Sequence, residues 1–249
     1  MSKKRYCDIS NTQNDSPLVP DSGKLIEHEI RSLEQLAKLK FFPKCLSDWK
    51  SKALSSSRQA KDNGIVNVHL SFSADDPHAS STEPKHTIEL GAYIAAGDPP
   101  NVCYHFVIGK EREGGGYTCL RKLHIDFESN KASNEPKPII HLQTPGRLWN
   151  ALIEKGYDYN SLAHLYPKLD KPRIPCLPVS FAILLHIALL EYVSVDSQIK
   201  TFVNSPEWLS SITSSERFIL RTFLKHSIDW IDKSENSSSS IISYFYRYP

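Results

Sequence analysis

The chain has 249 residues, 40% of them hydrophobic and 23% charged. That is the balance of a globular protein with enough apolar mass for a sizeable core, and it excludes global disorder. Thirty Lys and Arg against 28 Asp and Glu leave a formal charge of +2, so a site for a polyanion has to be local rather than a property of the whole surface.

The first 21 residues are rich in Ser, Asn, Asp, Lys and Pro and read as a loose arm. Their basic start is not followed by an apolar run, which predicts no secretory signal. A helix is predicted from Asp21 or Ser22 to about Lys40, because Leu25, Ile26, Ile30, Leu33, Leu36 and Ala37 recur at helical spacing. A second, short helix carries Leu46, Trp49 and Leu54, and the polar run 55–64 reads as its connection to the first strand.

Between about residues 64 and 145 apolar and polar residues alternate with a period of two, broken by turn signals near 75–77, 97–100, 114–116 and 129–136. Short links favour antiparallel neighbours. The expected fold class is therefore α+β, with an antiparallel sheet of about five strands in a meander, flanked by an N-terminal helix and a mostly helical C-terminal half. In that half, residues 147–155 have a helical period. Prolines 167, 172, 175 and 178 then force an irregular crossing, and the apolar run 179–194 reads as a buried core helix. That run contains His186 and Glu191 and is too short and polar to span a bilayer, so no membrane association is expected. A further helix is predicted from about Thr213 to Lys233, opening on the capping box Thr213-Ser-Ser-Glu216. Residues 22–233 read as one α+β domain, with the sheet at about 64–145 and the helical part at about 146–233. Residues 234–249 read as a Ser-rich link and an aromatic segment that docks as an edge strand or meets another chain.

The chemistry concentrates on one face of the predicted sheet. Its polar sets are Asn67, His69, Ser71 and Ser73, then Thr87, Glu89 and Tyr93, then Cys103 and His105, then Lys122, His124, Asp126 and Glu128, and last His141 and Gln143. On neighbouring strands, His124, Asp126 and His141 could supply two imidazoles and a carboxylate, either as ligands for a divalent metal or as a general base with its orienting acid. Gln143 would add a binding group. The plain alternative is a solvated sheet face whose polar pairs stabilise the strands. His69 and His105 extend the face only where register allows.

Other features are weaker. The glycine-rich run 109–116 lacks the order of a phosphate-binding loop and reads as a hairpin tip. Cys7, Cys45, Cys103, Cys119 and Cys176 are odd in number and contain no C-x-x-C pair, which suits reduced thiols in a cytoplasmic protein. Cys119 has no surroundings that mark it as a nucleophile. Arg217, Arg221 and Lys225 recur every fourth residue and make a cationic stripe on one helix face. With Arg173, and with Tyr244 and Tyr246 in the aromatic tail, they are the candidate contacts for a protein partner or a second copy of the chain, nucleic acid being the other candidate.

The order H-x-D-F at 124–127, P-x-x-H-L at 138–142 and R-I-P at 173–175 ahead of an apolar helix resembles a pattern in uncharacterised bacterial proteins. Such proteins look like accessory-genome components, some of them near phage-defence genes. The resemblance implies that the two His-bearing strands and the Arg-Ile-Pro segment form one unit, and it transfers no activity residue by residue. Two functions are therefore expected. The first is a non-catalytic binding or regulatory component of a cytosolic bacterial assembly. The second is a metal-dependent hydrolase of nucleic acids or nucleotides, acting through His124, Asp126 and His141.

Overall fold

The computed structural model describes residues 22–75, 85–96, 101–111, 117–127, 137–138, 140–143, 174–175, 177–193, 196–234 and 246–247. Helix α1 (Ser22–Ala37) buries Leu25, Ile26, Leu33, Leu36 and Ala37 on the stripe their spacing predicts, and with them Glu29 and Ser32. A 3-10 turn (Lys44–Leu46) leads into α2 (Trp49–Asn63). The run 55–63 is thus helix, not connection. Its buried stripe is built from Ala53, Ser57 and Ala60, small residues that bury well but carry little apolar signal. Gly64 ends the helix in the left-handed region at φ 71, and its N–H donates to the Ala60 carbonyl.

Four long strands follow as an antiparallel meander: β1 (Ile65–Ala74), β2 (His86–Ala95), β3 (Asn101–Glu111) and β4 (Tyr117–Phe127), with a bulge between Ile108 and Gly109. The short strands β5 (Lys137–Pro138), β6 (Ile140–Gln143) and β7 (Ile174–Pro175) come next. β6 pairs with β4 and β7 with β6, giving a six-stranded sheet in the order β1-β2-β3-β4-β6-β7. The expected meander of about five strands is corrected to four long strands with two short additions, because the fifth polar set occupies only the four-residue β6. The expected helix at 147–155 lies outside the described residues.

Helix α3 (Phe181–Leu190) starts one residue after Ser180, whose hydroxyl accepts from the Ile183 N–H at 3.3 Å. Helix α4 (Ser197–Val203) is capped by Asp196, whose Oδ1 accepts from the Gln198 and Ile199 amides at 2.7 and 3.2 Å. Helix α5 (Pro206–Ser234) starts seven residues before the predicted capping box, which instead falls inside it. Ser205 is the cap, its hydroxyl accepting from the Trp208 N–H at 3.4 Å, and Pro206 takes the first helical position, where a missing N–H costs nothing. The C-terminal strand β8 (Tyr246–Arg247) pairs antiparallel with β5 in a separate two-stranded ladder rather than joining the main sheet.

The core lies on one side of the sheet. Val66, Val68, Leu70 and Phe72 of β1, Ile88, Leu90, Ala92 and Ile94 of β2, and Val102, Tyr104 and Phe106 of β3 are buried in one cluster with the inner faces of the helices. Trp49 of α2 stacks on Phe181 of α3 with ring centroids 5.4 Å apart, joining the helical layer at its centre. Among the described residues no helix is long and apolar enough to cross a membrane.

Candidate functional site

The opposite face carries the polar residues, and the register fixes who faces whom. One row across the sheet runs His69, Gly91, His105, His124 and Gln143. The adjacent row runs Asn67, Tyr93, Cys103, Asp126, His141 and Pro175. Residues directly opposite one another on antiparallel strands have Cβ atoms about 4.5–5.5 Å apart. His124, Asp126 and His141 therefore occupy adjoining register positions, Asp126 opposite His141 and His124 two residues along β4. The side chains of His141 and Gln143 lie outside the described residues. His69 and His105 belong to the same row, and Ser71 faces Glu89 one step further along.

The centre of the row has a specific fit. A Cβ added at Gly91 would overlap the imidazole of His105, so the ring lies across the sheet over the glycine. There it meets His69, with ring centroids 6.0 Å apart and planes tilted by 32°. A glycine inside a strand pattern marks such close approaches, and that signal was available in the sequence. His69 is exposed, while Cys103, His105, His124 and Asp126 are half-buried. Among the described residues no group of three His, Cys, Asp or Glu side chains is placed to hold a metal.

The second candidate region is the outer side of α5. Arg217, Arg221 and Lys225 are all exposed, as their four-residue spacing predicts. Beside them Leu224 is 51% and Ile228 56% exposed, with Leu220 half-buried in the same column. Of the other expected contacts, Arg173 and Tyr244 lie outside the described residues. Tyr246 is placed by its backbone, opposite Pro138.

Two ionisable residues on α1 acquire their surroundings only in the folded chain. Glu29 is fully buried, and its Oε1 accepts from the Tyr104 hydroxyl at 2.9 Å and from the Phe181 N–H at 3.0 Å. Burial pushes its carboxyl up to about 7, against the opposing pull of those two donors. Its Oε2 and the Trp49 indole N–H are buried without a hydrogen-bond partner. Next to it, His28 stacks on Phe218 of α5, ring centroids 4.1 Å apart and planes within 9°, with Nε2 3.2 Å from the Ser215 hydroxyl. Burial, helped by the charge of Arg31, lowers His28 to about 4. The signal for Glu29 was a carboxylate set into an otherwise apolar stripe, between Leu25, Ile26 and Leu33. Cys45 is held up at about 11, chiefly by burial and next by Asp196, which makes it an inert thiol.

Comparison of the chain with protein-family models, with curated proteins and with solved structures gives no match.

Proposed function

We propose that the protein is a non-catalytic binding component of a cytosolic bacterial assembly, docking a partner on the outer side of α5. The observation that carries this reading is the pairing of two large apolar side chains, each more than half exposed, with a column of three cations one helical step away. Scattered apolar residues are ordinary on a protein surface, but an apolar column flanked by like charges suits a partner segment with an apolar stripe bordered by acids. The resemblance to accessory-genome proteins, some near phage-defence genes, points the same way. A photo-crosslinking residue in place of Leu224, expressed in the source cell, should give one discrete adduct. It should be absent when the same group replaces the exposed Lys50 of α2, and absent when Arg217, Arg221 and Lys225 are changed to Glu. An adduct of two identical chains would identify a homo-oligomer, and no adduct at 224 would overturn the proposal.

A second reading rests on the register that sets His124, Asp126 and His141 side by side. Those residues would hold a divalent metal for hydrolysis of a nucleic acid or nucleotide, the metal supplying an activated water. Metal ligation requires neutral imidazoles and releases protons. Near-stoichiometric metal in the purified protein, removed by both His124→Ala and His141→Ala, supports this reading; a metal-free protein with no phosphoesterase activity sinks it.

A further inference from the structure

We infer that the partner docked on α5 is a second copy of the chain, whose own α5 runs antiparallel across the first. This rests on the reading of α5 as a docking surface and names its occupant. The buried stripe of the helix runs through Trp208, Ile212, Ser215 and Ile219 to Phe223, and the described residues beyond Phe223 are exposed or half-buried. At 3.6 residues per turn, Leu220, Leu224 and Ile228 lie about 140° around the helix from that stripe. A second helix can therefore lie on them without disturbing the contacts of α5 with His28 of α1 and His186 of α3.

The charges decide which helix fits. Those beside the apolar column are exposed and change sign along the helix, with Arg217, Arg221 and Lys225 followed by Asp229 and Asp232. None of the five is in an ion pair with another described residue. A parallel copy would set cation on cation and acid on acid. A reversed copy sets the cationic stretch on the acidic one, so the acids that the cations call for are carried by the same helix.

Apolar and charged contacts agree on one register. With Leu224 of each copy against Ile228 of the other, Arg221 comes level with position 231 of the second copy and Lys225 with position 227. Asp232 is then one residue from the level of Arg221, and Asp229 two from that of Lys225, offsets of about 1.5 and 3 Å along the helix. The two-fold axis passes at position 226 and every contact occurs twice, which closes the pair and leaves no matching face to add a third chain.

Sedimentation equilibrium of the full chain over a concentration series should give a mass twice the 28.2 kDa of one chain. Arg221→Glu with Lys225→Glu makes the paired stretch acidic throughout, and Asp229→Lys with Asp232→Lys makes it cationic. Each double variant alone should raise the dissociation constant at least about tenfold. Mixed in equal amounts, the two should recover the wild-type mass, because each then meets its opposite. All four positions are exposed, and circular dichroism checks that the variants fold. If one does not, Leu224→Glu sets an acid against Ile228 of the second copy and should leave a monomer. A monomeric wild type, a dimer that the reversals or Leu224→Glu leave unchanged, or double variants that stay monomeric when mixed would overturn the pairing. The docking reading fails separately: a single crosslinked adduct at position 224 with a different protein keeps that reading and overturns this inference, whereas a monomer that gives no adduct overturns both.

Discussion

The two faces of the sheet are built from the same strands and behave as different materials. On the inner face, Val66, Leu70, Ile88, Leu90 and Tyr104 are at most 1% exposed and locked between strands and helices. On the outer face Asn67, His69 and Tyr93 are exposed and Cys103, His105, His124 and Asp126 half-buried, and they hold most of the sheet's chemistry. Burial specifies the inner face and leaves the outer one free to be chosen for another reason. An imidazole placed opposite a glycine, with its ring lying across the strand, is not needed to hold a solvated face together. The substitutions that follow should divide the same way.

The largest effect belongs on the inner side. Trp49 is fully buried and stacked on Phe181. Trp49→Ala removes that contact area and leaves a cavity beneath α3. Urea denaturation should show a loss of about 3–5 kcal/mol, the range for truncating a large buried aromatic. A loss below about 1 kcal/mol would mean that the helical layer can collapse onto the gap, and the contrast between the faces would weaken.

An intermediate effect belongs at the point where the outer face is itself tightly fitted. Gly91→Ala drives a methyl into the His105 ring, which has to swing off the strand and leave His69. The expected cost is about 1–3 kcal/mol for overpacking, reduced by the roughly 0.5–1 kcal/mol that Ala recovers over Gly in a strand. In a His105→Ala background the clash is gone, and the same change should become neutral or stabilising. That reversal of sign is a coupling energy between two specific residues. Additive behaviour would show that the ring does not rest on Gly91.

How legible these regions were in the sequence follows from the same contrast. The strands, their inner residues and the α+β class were readable because period-two alternation reports one buried face directly. Helix α2 was cut short because its buried stripe of Ala53, Ser57 and Ala60 is too small and polar to register as a period. The start of α5 was displaced because the capping-box pattern at Thr213 outweighed the less familiar signal Ser205-Pro206. Period-two alternation places Asn67, His69, Tyr93, His105, His124 and Asp126 on one face, but which of them meet depends on strand pairing, and a single sequence does not specify register. Glu29 and His28 do not stand out in the sequence for a related reason. A lone ionisable residue on a helix stripe acquires its chemistry only from the elements that fold against it, and Tyr104, Phe181 and Phe218 are distant in the chain.

The smallest effect is the most informative about the outer face. His124 is half-buried, opposite His105 on one side and Gln143 on the other. If the face is open in the working protein, water can replace the partners that His124→Ala removes, and stability should change by no more than about 1 kcal/mol. A loss of about 2 kcal/mol or more, with no metal in the wild-type protein, would place His124 in a covered interface, since only desolvated polar groups cost that much to strip of a partner. The same loss with bound metal, and its disappearance when metal is removed from both proteins, would instead trace the energy to ligation. A negligible loss together with unchanged partner crosslinking at position 224 would leave α5 as the contact surface and the imidazole row as a solvated face.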